Sequence, residues 1–319
     1  MKKLKKVFLF VLFQFFFGAM LAPFLIFWGP FSSVKAYAVG AVVTSRHPQF
    51  IKLFLSDAQV KQILQAEQQR EEVSSTGGSG ATQTTNVVDT GGIQIKDIRG
   101  RTYRGKVMLI QDPARVQVAV TNAMGESGER VSEMAKRLGA VAAINAGGFN
   151  DPNGKGNGGF PMGAVIHAGK VLYDDSNGAS QAIIGIDTKG KLIVDTMTTH
   201  QAMARGIQEA ISFYPSLVQD GRGVVKGDGG WGVGPRTAIG QLADGTIMFV
   251  VIDGRQIQSL GATLRDLQQI FLDYGAVTAV NLDGGSSTTL YYDGQIINRP
   301  ADIFGERYVP TAFVVMPKE

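Results

Sequence analysis

The chain contains no cysteine among its 319 residues, which excludes disulfides, thiolate nucleophiles and cysteine-ligated zinc or iron–sulfur centres. Histidine is nearly as scarce. His47, His167 and His200 are the three present, and none stands in a recognisable triad motif. A serine nucleophile needs a positioned base, so serine-hydrolase chemistry has little to draw on, and a histidine-built metal site is disfavoured for the same reason. Charge is also thin. Charged residues make up 18% of the chain, and its net charge of +4 owes much to lysines at the extreme N-terminus. Nothing in that balance describes a nucleic-acid-binding surface.

One long apolar run is present. It extends from Val7 to Phe31 behind Lys2, Lys3, Lys5 and Lys6, with Gln14 as its one strongly polar interruption. The run is about long enough to span a bilayer, and the lysines would hold the N-terminus in the cytoplasm with the bulk of the chain outside. Ala36-Tyr37-Ala38 offers a small-x-small cleavage pattern, and cleavage there would give a secreted protein rather than a tethered one. Residues 1–31 are therefore expected to form a membrane anchor or signal segment, and 32–72 a juxtamembrane stalk. Within the stalk, Ser56-Asp57 can cap a helix running to about Glu72. Its stripe of Val60, Ile63 and Leu64 suits either a solvated helix or a short oligomerisation element. Residues 73–86, rich in Ser, Thr and Gly, have the composition of a flexible linker, which leaves 87–319 as one large domain.

In that domain, short apolar runs separated by Gly, Asn and Asp turns read as strands: Val107 to Gln111, Val116 to Thr121, Val141 to Ala146, Gly163 to His167 and Gln181 to Asp187. Two helical patterns interrupt them. Arg130 to Leu138 stops at Gly139. Thr263 to Tyr274 has a capping Thr263, an apolar face of Leu264, Leu267, Ile270 and Phe271, and a stop at Gly275. Each helix leads into a strand, and the repeated helix–Gly–strand phrase hints at two similar halves. The balance of elements predicts an α+β domain with a mixed β-sheet and packed helices.

The densest chemistry lies in Asn281-Leu282-Asp283-Gly284-Gly285-Ser286-Ser287-Thr288-Thr289. An apolar strand here delivers an amide, a carboxylate, two glycines and four hydroxyls into one turn. Gly284 and Gly285 permit positive φ and close approach of a ligand to the backbone, although a Gly-Gly hairpin with a polar tip would use the same residues. Ile144-Asn145-Ala146-Gly147-Gly148-Phe149-Asn150-Asp151 has the same character. Pro235-Arg236-Thr237-Ala238-Ile239-Gly240 sets an arginine before another strand. Three polar strand ends point to one shared cleft.

These three segments resemble the hallmark motifs of the phosphodiester glycosidase family, whose animal members uncover mannose 6-phosphate by removing N-acetylglucosamine from a phosphodiester. Order and spacing agree as well. Tyr214-Pro215-Ser216-Leu217-Val218-Gln219-Asp220-Gly221 lies between the first and second motifs, and Arg307-Tyr308-Val309-Pro310-Thr311-Ala312 follows the third, so the resemblance covers roughly Ile93 to Met316. One departure is visible: the first motif commonly continues with a bulky aromatic pair, where this chain has Gly147-Gly148-Phe149. The resemblance implies hydrolysis of a sugar-1-phosphodiester and adds Gly147, Asp220 and Thr237 to the substrate-binding positions.

Such a cleavage must stabilise an oxocarbenium-like sugar and negative charge on the departing phosphate, commonly with two carboxylates on the sugar side. Asp283 is the first candidate. Asp253, which ends the run Val250-Val251-Ile252 at a glycine, is the second, and either could serve as nucleophile or as base toward water. Arg236 can grip two phosphate oxygens with its planar fork, and Arg255 could supply further donors, with salt bridges to nearby aspartates as the competing reading. Asn145, Asn281, Ser286 and Ser287 would bind sugar or phosphate. No cofactor is required. Asp and Asn oxygens around Asn150 to Asn157 could hold calcium, but that segment lacks a calcium-loop pattern and suits a glycine-rich lid. With the anchor, these features describe an extracellular hydrolase of a phosphate-linked envelope glycan. The alternative is a non-catalytic polysaccharide-binding or exopolysaccharide assembly factor.

Overall fold

The computed structural model of the chain describes residues 10, 13, 14, 17, 18, 21–29, 35, 39, 48–63, 82–151, 157–256, 258–302 and 304–318. Most of the expected anchor, much of the stalk, His47, residues 64–81 and the centre of the expected lid, 152–156, lie outside them. Residues 21–28 are helical, and among the described residues no helix is long and apolar enough to cross a membrane. The stalk helix begins where its cap predicts: Ser56 Oγ accepts the Gln59 amide at 3.3 Å, and residues 57–63 are helical. Phe27, Val39, Ile51 and Leu55 bury against one another beside it.

The main body holds three sheets. The largest has eight strands, ordered edge to edge as Thr82–Thr90, Ile93–Arg99, Arg104–Ile110, Ile247–Ile252, Arg236–Leu242, Ala276–Asn281, Ser216–Gln219 and Arg222–Gly223. A second sheet orders Lys170–Asp174, Ala164–His167, Ile207–Ile211, Gln181–Asp187 and Leu192–Met197. The third orders Gln295–Ile296, Leu290–Tyr292, Ala142–Asn145, Thr311–Val315 and Val116–Val120. A sheet-dominated α+β domain is thus what the chain builds. In place of one sheet of mixed strand direction, all pairings among these strands are antiparallel. The helices are too few and too short to supply the crossovers that parallel strands require. The expected linker is also shorter than its composition suggested, since its residues 82–86 open the first strand.

Both predicted helices form within a residue of their expected limits. Val131–Leu138 ends at Gly139 with φ 67°, and Leu264–Asp273 starts at Thr263, whose side chain accepts the Asp266 amide. A third helix, Thr199–Ala204, escaped the sequence reading because it spans under two turns, although Thr198 and Gln201 form a capping box at its start.

Strand Ile247–Ile252 shows how the core is divided. It is apolar at every position because both faces are covered. Ile247, Phe249 and Val251 join a cluster shared by all three sheets, including Ile144, Ile184 and Phe313. Met248, Val250 and Ile252 face the helix Leu264–Asp273 through Leu264, Leu267, Ile270 and Phe271. Truncating the fully buried Phe249 to alanine would cost about 3–5 kcal/mol. The shared cluster brings the ends of strands from different sheets to one place.

Candidate active site

Asn145 ends a strand of the third sheet, and Asp283 lies two residues past the end of the strand Ala276–Asn281 in the first. The two are joined directly. The Asp283 amide donates to the Ala146 carbonyl at 3.0 Å, and Asn145 Nδ2 donates to the Asp283 carbonyl at 2.5 Å. Asn145 Oδ1 accepts from Thr237 Oγ1 at 2.8 Å and from the Thr289 amide at 3.1 Å. One buried amide therefore ties the three motif segments into a single site. The Gly284-Gly285 turn is pressed onto the second motif: the Gly285 amide donates to the Pro235 carbonyl at 3.0 Å, and a Cβ on Gly284 would stand 2.8 Å from that same oxygen. Gly285 itself has φ 62°, where a side chain would be strained.

Asp283 is the electrostatic centre. Although the residue keeps some exposure, its Oδ2 is buried without a protein hydrogen-bond partner. Desolvation pushes its pKa from 3.8 up to about 6. Ser287, Arg307 and the Gly284 amide oppose that rise, and the charge of Asp151 reinforces it. Ser287 Oγ is also buried without a protein hydrogen-bond partner. The side-chain oxygens Oδ1 of Asn281 and Oγ1 of Thr288 and Thr289 are likewise buried without one. Buried polar atoms are rarely left unmatched, so five in one nine-residue stretch mark a surface made for a polar ligand.

The other predicted residues separate into two groups. Thr237 and Asn281 belong to the Asp283 cluster, the latter donating Nδ2 to the Tyr214 carbonyl at 3.2 Å. Gly147 flanks it, its amide donating to Thr311 Oγ1 at 3.0 Å, and Ser286 is buried in the same turn. Arg236 is buried differently from the expected phosphate fork. Its Nε donates to the Ala262 carbonyl at 3.1 Å, and its Nη2 to the carbonyls of Trp231 at 3.1 Å and Gly232 at 2.6 Å. Strand alternation turns it to the face opposite Thr237. Burial, helped by the nearby charge of Arg255, lowers its pKa to about 10. Arg255 sits in a turn with φ 58°.

Asp253 pins the segment after the third motif: its Oδ1 accepts the Arg299 amide at 2.8 Å and Asn298 Nδ2 at 3.3 Å. Burial raises its pKa. Asp220 is exposed, with φ 48°, in the turn between Ser216–Gln219 and Arg222–Gly223. The Gly221 amide bonds the Val277 carbonyl, which puts this turn at the far end of the strand that carries Asn281. His167 pairs with the buried Glu209 in the second sheet, its Nδ1 lying 2.9 Å from Oε2.

Two charged residues that the sequence reading did not single out adjoin Asp283. Arg307 forms an ion pair with Asp151, its guanidinium stacks 4.5 Å from the Phe149 ring centroid, and both partners are largely shielded from solvent. Both occurred in quoted motif segments. What distinguishes them from their neighbours is a contact across 156 positions of sequence. For a metal the site offers little: among the described residues no group of three or more His, Cys, Asp or Glu could hold one.

Comparison with known proteins gives the family and the fold. The phosphodiester glycosidase family profile matches residues 138–316, which contain Asn145, Arg236, Asp283 and Arg307. A prophage-derived uncharacterized protein of Bacillus subtilis, YomE, is 31% identical over 218 residues, covering 65% of this chain and 32% of that protein. The bovine N-acetylglucosamine-1-phosphodiester alpha-N-acetylglucosaminidase is 24% identical over 190 residues, 54% of this chain and 35% of that enzyme. The chain thus spans about a third of the length of these curated relatives. Among solved structures, the catalytic domain of the zebrafish enzyme of the same name, auto-inhibited by its pro-peptide, superposes with a TM-score of 0.61 at 22% identity, covering 77% of this chain and 91% of that domain. A hypothetical protein from Synechocystis gives a TM-score of 0.52 at 18% identity, over 76% of this chain and 64% of that one. These two share the fold, and the sequence match over more than half its length assigns the chain to the phosphodiester glycosidase family.

Proposed function

We propose that the chain is a hydrolase that cleaves the sugar–oxygen bond of a sugar-1-phosphodiester in a cell-envelope glycopolymer. The observation that carries this reading is the Asn281–Thr289 turn, where an ionisable carboxylate stands among buried side-chain oxygens that have no protein partner. A phosphodiester leaves readily at neutral pH, so departure needs little general-acid help. Asp283 would therefore act ionised, as nucleophile toward C1 or as base toward water. Arg307, a cation that acts on Asp283, would neutralise charge on the departing phosphate, with Asp151 holding its guanidinium. Arg236 would shape the site from beneath through the Trp231 loop. Asn281, Ser287, Thr288 and Thr289 would bind sugar or phosphate oxygens.

The same reading places the enzyme outside the cell on an N-terminal tether. Its support is the sequence of the Val7–Phe31 run and the exposure of Phe24, Leu25 and Trp28 on the helical residues 21–28.

The test is incubation of the detergent-solubilised chain with UDP-N-acetylglucosamine and a panel of sugar-1-phosphodiesters in ¹⁸O-water, with products read by mass spectrometry beside an Asp283→Asn control. Label in the released sugar, lost in the variant, is expected. Label in phosphate would mean attack at phosphorus. No turnover with a retained envelope glycan would favour the binding or assembly role instead.

A further inference from the structure

Tyr214 is 60% exposed, and it does not stand alone. Its ring stacks on Phe213 at 5.6 Å between centroids and meets Trp231 edge-on at 5.6 Å, while Phe213 and Trp231 are 6.0 Å apart. Three mutually packed aromatic rings reaching solvent, with Trp231 nearly perpendicular to the stacked pair, form a rigid apolar corner of a kind that interiors normally absorb.

Its connections to the site are direct. The Tyr214 carbonyl accepts Asn281 Nδ2, and the Asn281 amide donates to the Pro215 carbonyl at 3.0 Å, so the Tyr214 backbone lies against the strand that delivers Asp283. The other half of the Asn281 side-chain amide, Oδ1, is buried without a protein partner in a residue that is 1% exposed. Phe213 borders the first motif: a Cβ on Gly148 would lie 2.9 Å from its ring, and the half-exposed Met162 is next to it. The absence of a side chain at Gly148 therefore makes room for Phe213. Trp231 is fixed from below by Arg236, whose Nη2 binds its carbonyl and whose guanidinium lies 5.9 Å from its ring.

We propose that the exposed Tyr214 ring forms the stacking wall of a glycan subsite beside Asp283, binding the apolar face of a pyranose ring with the perpendicular Trp231 ring bordering it, while Asn281 Oδ1 accepts one of its hydroxyls. A pyranose matches both halves of this surface, because its axial C–H bonds pack on an aromatic face and its hydroxyls donate to a buried acceptor. This deepens the hydrolase reading, from which it takes the saccharide, and it predicts that affinity comes from the sugar ring as well as from the phosphate.

The experiment separates the two ideas by measuring binding without turnover. In the full-length Asp283→Asn chain, N-acetylglucosamine 1-phosphate should quench tryptophan fluorescence, and glycerol 1-phosphate, which carries the phosphate without the ring, should not. Since the chain has two tryptophans, Trp231→Phe should remove the response and weaken the calorimetric affinity less than Tyr214→Ala does. Tyr214→Ala should weaken calorimetric binding about tenfold, with Tyr214→Phe staying within about twofold. Equal affinity for the two phosphates, or wild-type affinity in a folded Tyr214→Ala chain, would overturn the subsite. Ring-dependent binding with no turnover in the parent chain would sink the hydrolase reading and leave the subsite standing.

Discussion

Asn145 and Asp283 lie 138 positions apart in sequence, yet the side-chain amide of the first holds the main-chain carbonyl of the second at 2.5 Å. Because Asn145 Oδ1 also accepts from Thr237 and Thr289, the amide fixes the carboxylate-bearing turn relative to both other motifs. Asn145→Ala would strand a buried hydroxyl and a buried N–H, at a cost of about 3 kcal/mol. Thermal denaturation should register this as a drop of about 6–12 °C. An unchanged midpoint would mean that the three segments are held together by something else.

Replacing Asp283 tests the chemistry. Asp283→Asn keeps the shape and removes the ionised form, so turnover of a sugar-1-phosphodiester should fall by about 10³-fold. For the wild-type chain, kcat/KM should decline on the acid side with a midpoint near pH 6, where Asp283 takes up its proton. Decline on the alkaline side of pH 6 instead would assign Asp283 the role of general acid.

Arg307 and Asp151 should move that midpoint in opposite directions. Arg307 lowers the Asp283 pKa and Asp151 raises it, so Arg307→Gln should carry the acid limb to higher pH and Asp151→Asn to lower pH. Asp253→Asn should leave the limb in place, because Asp253 serves the 298–299 segment. Profiles of the three variants decide which carboxylate partners Asp283, and a limb that shifts only in Asp253→Asn would restore the pair expected from sequence.

The same carboxyl links stability to pH. Its folded pKa, about 6, exceeds the ordinary 3.8, so the folded state holds the proton more tightly than the unfolded chain. That stabilisation is fully present below about pH 4 and is lost as pH rises through about 6. It is worth about 3 kcal/mol. Asp283→Asn should therefore be more stable than wild type at pH 8, with the advantage vanishing near pH 4. Urea unfolding at the two pH values measures the difference, and equal stabilities at pH 8 would show that Asp283 ionises at no cost.

Much was legible from local sequence because its causes are local. Thr263 caps and Gly275 ends the second long helix, as their side chains dictate, and Asp283 emerges at the end of a buried strand because Val280 and Leu282 must be covered. The clustering of Asn145, Thr237 and Asp283 could be anticipated from three polar strand ends, each of which would be wasted alone. Sequence also supplied the family, through motifs in fixed order.

What each charged side chain does was decided by tertiary structure. Arg236 reads as a phosphate fork until strand alternation turns it to the far face and three carbonyls occupy it. Asp220, inside a motif, lies at the wrong end of its strand, since antiparallel pairing sends Ser216 toward the site and Gln219 away from it. Arg307 and Asp151 become neighbours of Asp283 only when the third sheet closes against the first. Local sequence fixes where a helix or strand begins and ends, because caps and burial patterns act over a few residues. Which charges meet depends on burial and on distances between strands far apart in the chain, and only the packed fold sets those.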